Sequence, residues 1–387
     1  MRRNTTKPEG FEGTYQWDVI KLGGDFNSHS HPDRGETNHP KYLKHIHRDP
    51  ADISKISLMA KQKMVGELHL GPAYEEDDLE ERMSRLFRRV QSYGTRKMNG
   101  CIDVSPDLKD PFVALKVALK LKKRFAGRGL DLHFGPHPIF GFKEGTERWP
   151  VFEAAARYPG VELISGLPEK DFFAEGKDPD GKIGFRQNMW RVLKLGLKLN
   201  KPIEMHLDQS DDPSEHGTED LIDALSWLDP HRKGPAIWVV HMISPSAYDE
   251  YRFAKLVDNL LKYKIGVRVC PSAGISMRRP RPILTPSHNA LARVLELLVA
   301  GVPVTLGSDN IGDFFVPACN GSMRDEVVAV ANICRFYLSH IWAKVAAGVR
   351  LNDSDRDSIK EFLRQDAEVF STIDPSWVSW ISMQNRR

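Results

Sequence analysis

The sequence predicts an α/β protein built as a (β/α)8 TIM barrel with a metal site at the C-terminal ends of its strands. Eight short β-rich segments alternate with helical patterns, which is the repeat of a barrel of parallel strands. The 387-residue chain is 41% hydrophobic, enough for one large α/β domain. Potential metal-ligating side chains follow several of the strand-like runs, and barrels place their chemistry at that edge.

The strand candidates are short runs rich in β-branched and apolar residues, and the segments between them repeat apolar residues at helical spacing. In chain order the predicted strands are 21–29, 98–105, 130–137, 161–167, 202–208, 236–243, 265–272 and 302–309. The clearest predicted helices are 111–126, 147–158, 186–199, 218–227, 247–263, 288–300 and 323–347. The long first connection holds two more helix-like stretches, near 50–65 and 75–92.

Three parts of the chain are predicted from this pattern. Residues 1–20 form an N-terminal arm, residues 21–350 form the barrel, and residues 351–387 form a closing helix and a tail. The last part begins with a helix-capping signature, NDSD, and continues with a helical apolar stripe.

Composition favours a small-molecule partner. The net charge is only +3, and no block of like charge marks a nucleic-acid or membrane surface. The basic N-terminus has no apolar segment after it, and no run approaches the ~18 apolar residues of a membrane span. We therefore expect a cytoplasmic protein, which we also expect to be a homo-oligomer. The four cysteines are widely spaced without a C-x-x-C pair, which argues against disulfides and against a thiolate zinc site.

The most informative motif is H-x-H in NSHSHPD. His29 and His31 are two apart, so on a strand both imidazoles point the same way and can reach one ion. His206 and Asp309 follow later strand-like runs and would complete a nitrogen and oxygen set suited to zinc or iron, with a position left for water. His241 ends another such run and is the candidate proton carrier. With 14 histidines one H-x-H pair can arise by chance, but the shared position at strand ends favours the metal interpretation.

These motifs resemble the amidohydrolase superfamily, and within it the cytosine deaminase-like branch. The resemblance runs from about residue 22 to about residue 370 and depends on HSHPD, IDVSPD, HLDQSDD, VVHMIS and LGSDNIGDFFVP. It implies one divalent metal ion per chain, zinc with iron as the alternative, carried by His29, His31, His206 and Asp309. It also implies that His241 stands beside the reacting water.

Two departures from that branch are visible. Its members commonly carry an accessory β-sandwich, which we expect to be absent or vestigial because only 28 residues precede His29. The resembling deaminases also carry Glu three residues after the strand-five histidine, where this chain has Gln209. A Gln amide donates and accepts hydrogen bonds but cannot relay a proton at neutral pH. Gln209 is therefore expected either to bind substrate or to brace the barrel rim.

Other residues are candidates for the substrate pocket. His137 follows strand three, where the resembling deaminases place a substrate-reading Gln, although its flanking prolines also suit a turn. Asp313 either belongs to the site or caps a turn. Arg278 and Arg281 would overhang the mouth and could bind a carboxylate or phosphate, the alternatives being solvated rim charges or an oligomer contact. Lys170 is expected to be solvated.

The sequence thus predicts an enzyme, a metal-dependent hydrolase of non-peptide C–N bonds. A bound divalent ion lowers the pKa of water from about 15.7 to about 7, so that a nucleophile is available at neutral pH. The favoured reaction is deamination of an amino-substituted nitrogen heterocycle or aromatic small molecule, with His241 and Asp309 handling protons. The alternatives are a cyclic-amide or N-alkylamine amidohydrolase, a metal-dependent decarboxylase or isomerase, and a catalytically silent barrel used for binding.

Overall fold

Eight parallel strands form the centre of the structure, a computed structural model that describes residues 8–49, 53, 58–174, 176–177, 179–276 and 290–371. In these residues the strands are β1 (Asp25–Asn27), β2 (Thr95–Asp103), β3 (Asp131–His137), β4 (Ile164–Gly166), β5 (Ile203–Leu207), β6 (Ile237–His241), β7 (Ile265–Val269) and β8 (Val304–Leu306). Seven of the eight predicted segments contain one of these strands, whereas β2 begins at Thr95, three residues before its predicted segment 98–105. Most of the predicted bounds are longer because the apolar runs continue past the last hydrogen-bonded pair.

The strands form two parallel sheets in simple sequence order, β1-β2-β3 and β4-β5-β6-β7-β8. Backbone hydrogen bonds cross both gaps between these sheets. The Glu162 amide donates to the Phe134 carbonyl at 3.0 Å, and the Ser28 amide donates to the Leu306 carbonyl at 2.9 Å. Every residue of β5 and β7 is buried, as expected for parallel strands covered on both faces. The prediction of an α/β fold with parallel strands is confirmed.

Two glycines allow the chain to approach itself closely at these junctions. A Cβ on Gly135 would lie 2.0 Å from the Leu163 carbonyl oxygen, and a Cβ on Gly307 would lie 2.7 Å from the His29 carbonyl oxygen. Only glycine fits such contacts with backbone. Gly307 therefore lets the end of β8 lie directly against the H-x-H segment.

Helices connect the strands and surround them. Those of seven residues or more are Phe11–Lys21, Leu58–His69, Glu76–Ser92, Val113–Ala126, Arg148–Ala156, Phe185–Leu199, Gly217–Leu228, Glu250–Lys262, Val294–Ala300, Met323–Cys334, Ser339–Ala346 and Asp353–Ser371. Shorter helices span Pro40–Leu43 and Pro271–Ser276. Within the described part of the chain, none of the helices combines the length and hydrophobicity that a transmembrane span requires.

The structure corrects the predicted helix 323–347, which is two helices, Met323–Cys334 and Ser339–Ala346. The first ends where Arg335 adopts a left-handed conformation with φ of 52°. Residues 11–20 of the predicted arm belong to helix Phe11–Lys21, which packs against Ser339–Ala346. The closing helix is present as Asp353–Ser371, whereas residues 372–387 lie outside the described residues. The division into three parts and the missing sandwich stay predictions.

Candidate metal centre

The H-x-H segment and Asp309 are brought side by side by backbone hydrogen bonds at the C-terminal ends of β1 and β8. The Asp309 amide donates to the His29 carbonyl, and the His31 amide donates to the Asp309 carbonyl, each at 3.0 Å. His206 is the fourth residue of β5, and its side chain reaches the same point. All four side chains are buried, with 4% exposure or less. The structure therefore brings together the four residues that the sequence predicts as metal ligands.

Their donor atoms converge. The Nε2 atoms of His29 and His206 are 3.1 Å apart, and Asp309 Oδ1 lies 3.3 Å from His31 Nε2 and 3.7 Å from His29 Nε2. The ligand nitrogens of the three histidines all lie within 4.8 Å of one another. Asp309 Oδ1 is buried and has no hydrogen-bond partner in the described part of the chain. A buried carboxylate oxygen beside three imidazole nitrogens is the donor set of a zinc or iron site.

The outer nitrogens of two of these rings already have acceptors. His29 Nδ1 lies 2.8 Å from Glu204 Oε2, and His206 Nδ1 lies 3.1 Å from the Gly166 carbonyl oxygen. Such acceptors favour the tautomer with the proton on Nδ1, which leaves Nε2 as a bare lone pair. Two such nitrogens that face each other at 3.1 Å need a cation between them, either a proton or a metal ion. Burial alone would lower the pKa of His29, but Cys101, Asp309 and Glu204 outweigh it and raise that pKa well above its usual value, so this ring favours a cation.

The protonation states of His31, His206 and Asp309 also favour metal binding. Burial lowers the pKa of His31 to about 4 and lowers the pKa of His206 well below its usual value, so both rings are neutral at pH 7. Burial alone would raise the pKa of Asp309, but the adjacent imidazoles of His29 and His31 outweigh it and lower that pKa well below its usual value. Neutral imidazoles and an ionised carboxylate are the states that bind metal.

Two further convergent groups adjoin this set, namely His29, Cys101 and Glu204, and His31, Asp103 and His137. Each shares a histidine with the first set. Glu204 is ion-paired with Arg268, and Asp103 lies 3.2 Å from His69 Nε2. Since both carboxylates already have positively charged or hydrogen-bonding partners, the four converging ligands remain the best site for one ion.

Glu204 is a site residue that the sequence reasoning missed. Its carboxylate is fully buried between His29 and Arg268, whose Nη1 also donates to the Ser28 carbonyl at 2.6 Å. Burial alone would raise its pKa, but Arg268 and His29 lower it to about 2. The signal was available, because Glu204 and His206 are two apart on β5 and so share a face.

We predict that Glu204→Gln weakens metal binding about 10–100-fold, the usual cost of losing a charged partner behind a ligating histidine. The melting temperature should also fall, because Arg268 is left as a buried cation without its carboxylate. A competition titration against a chromophoric chelator measures the affinity. The control is Glu219→Gln, which removes a half-exposed ion pair with Arg252. Unchanged affinity in a folded Glu204→Gln protein would contradict the role of Glu204.

His241 stands next to the metal ligands. Its Nε2 lies 3.8 Å from Asp309 Oδ2, and burial lowers its pKa to about 4, so the ring is a neutral proton acceptor at pH 7. The φ angles of His241 and Asp309 are 77° and 57°. Non-glycine residues rarely adopt this left-handed conformation, and such strain is concentrated at functional sites. Here the left-handed backbone lies at the ends of β6 and β8, where both side chains line the cleft.

A cleft of about 720 Å³, including its mouth, opens above this centre. Its floor contains three of the four ligands and the proton-carrier candidate: His31, His206, Asp309 and His241. Its walls include apolar and polar side chains: Arg34, Lys61, Gln62, His137, Ile139, Leu167, Gln209 and Phe315. The cleft gives a small molecule access to the centre from one side.

Gln209 lines the cleft and also has a partner. Its Nε2 donates to Glu169 Oε2 at 2.7 Å. Burial, together with the negative charges of Glu215 and Asp208, raises the pKa of Glu169 well above its usual value. The structure thus supports both interpretations of Gln209, a cleft residue and a brace to the loop after β4. Glu169 was not identified from the sequence, because nothing in its local pattern indicates contact with the end of β5.

The other predicted pocket residues differ in where the structure places them. His137 lines the cleft, with its Nδ1 2.8 Å from Ser165 Oγ. Asp313 does not line it, and its Oδ1 accepts the Phe315 and Val316 amides at 2.8 and 3.0 Å, which favours the turn-cap alternative. Arg278 and Arg281 lie outside the described residues.

Lys170 corrects an expectation of the sequence. Its Nζ donates to Gln62 Oε1 at 3.1 Å, and burial lowers its pKa to about 8. It is half-buried behind a residue of the cleft wall rather than solvated. The reason is that helix Leu58–His69, from the long first connection, packs over this side of the rim.

No protein family model matches the chain. An uncharacterized protein of Haemophilus influenzae is 27% identical over 283 residues, which cover 73% of this chain and 92% of that protein.

Solved structures are more informative. The chain is similar to the 5-methylcytosine deaminase of Klebsiella pneumoniae, with a TM-score of 0.69 and 19% identity over 84% of this chain and 74% of the other. N-isopropylammelide isopropylaminohydrolase of Burkholderia multivorans has a TM-score of 0.62 and 16% identity, covering 87% and 81%. Guanine deaminase of C. acetobutylicum has a TM-score of 0.52 and 12% identity, covering 87% and 72%. The chain therefore shares its fold with these solved enzymes.

Proposed function

We propose that the chain is a metal-dependent hydrolase that removes the amino group of an amino-substituted nitrogen heterocycle or aromatic small molecule. The observation that carries this proposal is the convergence of His29, His31, His206 and Asp309 at the floor of a cleft, with the neutral imidazole of His241 beside the carboxylate. The fold shared with solved deaminases supports it. We also propose that the two sheets are one closed barrel, which would place all these strand ends on one rim.

The proposed cofactor is one divalent ion per chain, zinc with iron as the alternative. When bound, such an ion supplies a nucleophile by acidifying water at neutral pH. Homo-oligomeric assembly and a cytoplasmic location remain proposals from the sequence.

In this proposal the chain's own residues carry the protons. His241 Nε2 accepts a proton from the attacking water and then donates it to the leaving nitrogen. The C–O bond forms first and gives a tetrahedral carbon, and the C–N bond breaks after the nitrogen has received the proton, so that the amino group leaves as ammonia. Asp309 remains ionised beside His241 and stabilises the imidazolium that forms between these two steps.

Gln209 is proposed to hold the ring rather than to move a proton. Its amide is oriented by Glu169, and His137 lies on the cleft wall near the other strand ends. An amide held in place by a buried carboxyl group can donate to or accept from a ring atom, but it cannot change its charge. This leaves His241 as the proton carrier that the reaction needs.

We predict that Gln209→Glu lowers both turnover and thermal stability. Two carboxyl groups would then meet where the Gln209 amide now donates to Glu169 at 2.7 Å, and like charges this close cannot both ionise. The melting temperature should fall by a few degrees, measured by differential scanning calorimetry. The swap Gln209→Glu with Glu169→Gln restores one amide and one carboxyl group, so it should recover stability. A gain in turnover in the single variant would show instead that proton relay had been limiting.

The test of the function is a screen of aminated heterocycles and aminobenzoates with the metal-loaded protein. Ammonia release, read by a coupled glutamate dehydrogenase assay, and a product about 1 Da heavier than the substrate support deamination. Carbon dioxide release supports the decarboxylase alternative, and ring opening without ammonia supports a cyclic-amide hydrolase. No reaction across the panel with metal bound would favour a binding role.

A second candidate is the release of an alkylamine instead of ammonia. The similarity to a solved isopropylaminohydrolase, with 81% of that chain covered, favours it. The residues would play the same parts, because only the leaving group differs. N-alkylated rings belong in the same screen, with the amine identified by mass spectrometry.

A further inference from the structure

Arg34 is a buried arginine without the hydrogen bonds that buried arginines normally make. It lies three residues after His31, is 2% exposed and lines the cleft. Its Nε and Nη1 atoms are buried and have no hydrogen-bond partner within the part of the chain described. Buried polar groups in proteins are almost always paired, so an incompletely paired guanidinium on a residue that lines the cleft indicates an acceptor that arrives with a ligand.

Arg82 shows the contrast within the same region. It is 1% exposed, and its guanidinium donates to the carbonyl oxygens of Asp33, Gly35 and Ala73 at 2.6 to 2.7 Å. The chain thus satisfies a buried guanidinium fully where the role is structural. Arg34 has no such hydrogen bond in the described part of the chain: Asp103 Oδ2 is 3.4 Å from Nη1 without hydrogen-bond geometry, and the negative charges of Asp33 and Asp313 also act on the guanidinium.

A second cation lies at the same place. Lys61, from helix Leu58–His69, also lines the cleft, and its Nζ donates to the Phe315 carbonyl at 3.3 Å. The guanidinium carbon of Arg34 is 5.2 Å from the centroid of the Phe315 ring. Both cations therefore surround Phe315 in one wall of the cleft. Burial lowers the pKa of Lys61, so a bound anion would favour its charged form.

The carboxylates near Arg34 do not face the ligand. Among the described residues that line the cleft, Asp309 is the only carboxylate, and it belongs to the metal set. Asp33 accepts from Tyr74 Oη at 2.8 Å and from the Asp103 amide at 2.9 Å, while Asp103 also has His69. Asp313 acts electrostatically on both Arg34 and Lys61, but it does not line the cleft, and its Oδ1 accepts the Phe315 and Val316 amides. The cleft wall therefore offers two cations, with the neutralising carboxylates behind them.

We propose that Arg34 and Lys61 form an anion subsite and that the substrate is an amino-substituted ring carrying a carboxylate. This inference depends on the proposed function for the reacting C–N bond. The planar fork of a guanidinium matches a carboxylate with two parallel hydrogen bonds, and the lysine adds a point charge. Ile139, Leu167 and Phe315 supply apolar wall for the ring. The carboxylate would orient the ring so that its amino-bearing carbon faces the centre.

Binding of unreactive ring analogues tests the subsite without requiring turnover. Isothermal titration of the zinc-loaded protein compares nicotinate with nicotinamide, which differ only in carboxylate against carboxamide. We expect nicotinate to bind at least about 10-fold more tightly, since hydrogen bonds to charged groups contribute more than neutral ones. Equal affinities, or no detectable binding of either compound, overturn the anion subsite whatever the ammonia screen shows.

Variants test which residues cause the preference for nicotinate over nicotinamide. Arg34→Gln is expected to remove this preference, and Lys61→Met is expected to reduce it. Melting temperature and zinc content are measured for each variant. Arg157→Gln, which alters an exposed arginine paired with Glu153, is the matched control and should keep it. If Arg34→Gln does not fold, two other variants test the subsite. Arg34→Lys keeps the positive charge but loses the planar fork of the guanidinium, and Lys61→Met removes the second cation. A preference that survives intact in a folded, zinc-loaded Arg34 variant contradicts the proposal.

Discussion

His206→Ala is expected to abolish metal binding and turnover together. His206 supplies an Nε2 that lies 3.1 Å from His29 Nε2, and it comes from a different strand than the H-x-H pair. Its loss leaves ligands from only one side of the rim, β1 and β8. The loss of affinity should exceed the 10–100-fold that removal of an outer hydrogen bond costs. Because β5 packs through its other residues, the variant should still fold.

Metal content by inductively coupled plasma mass spectrometry is the first measurement, with about one equivalent per chain expected in the parent protein and almost none in the variant. Ammonia release on any substrate found by the screen is the second. His216→Ala, at an exposed histidine just before helix Gly217–Leu228, is the control and should keep metal and turnover. A full equivalent of metal in folded His206→Ala would place the ion elsewhere. Two equivalents in the parent would contradict the single-ion proposal.

The strands could be predicted because their signal is local. Runs such as AIWVVHMI are continuous, apolar and rich in β-branched residues, and a buried parallel strand has that composition. Their ends could not be predicted, since a strand ends where pairing ends. Predicted strand 161–167 is observed only as Ile164–Gly166, because its hydrogen-bonded neighbour β5 begins at Ile203. The apolar run continues as buried chain outside the ladder.

The break in the predicted helix 323–347 has a different cause. Helices commonly end with Gly in the left-handed conformation, and the sequence around Arg335 has none. Arg335 adopts this conformation nonetheless, and Phe336, which follows it, is buried in the core. Packing of that aromatic ring decides where the helix ends. The local sequence shows that a left-handed Arg335 is unfavourable, but it does not show the tertiary contacts that outweigh this cost.

The residues of the site also differ in whether the sequence alone could identify them. The metal ligands could be proposed from sequence, since histidines at strand ends have a recognisable spacing. Arg34 stands beside the motif as HSHPDR, yet its importance depends on what it fails to contact, which only the structure shows. The contact between Gln209 and Glu169 joins the segments after β5 and β4, and no spacing rule connects residues 40 apart. Metal ligation is thus largely a local signal here, whereas substrate selection depends on tertiary neighbours.

These two parts of the site predict separable phenotypes. Changes at Arg34 or Lys61 should affect which molecules bind, and changes at the ligands should affect whether the ion is held. His241 belongs to neither group, because it lines the cleft floor and faces Asp309 across 3.8 Å without joining the convergent histidines. Its loss should therefore affect the rate of the chemical step.

His241→Asn is expected to keep the metal and lower kcat by about 10²–10⁴-fold, the usual contribution of a positioned general acid and base. Asn is chosen because it tolerates the left-handed φ of 77° better than Ala does. His137→Asn, at another histidine of the cleft, is the matched control and should raise KM more than it lowers kcat, since His137 lies on the cleft wall as a candidate for substrate binding. A folded His241→Asn protein without metal would make His241 a ligand. If the variant keeps its metal and its kcat is unchanged, a group other than His241 must accept the proton. Asp309 would then be the remaining candidate on the cleft floor, because its carboxylate is already ionised beside the proposed position of the reacting water.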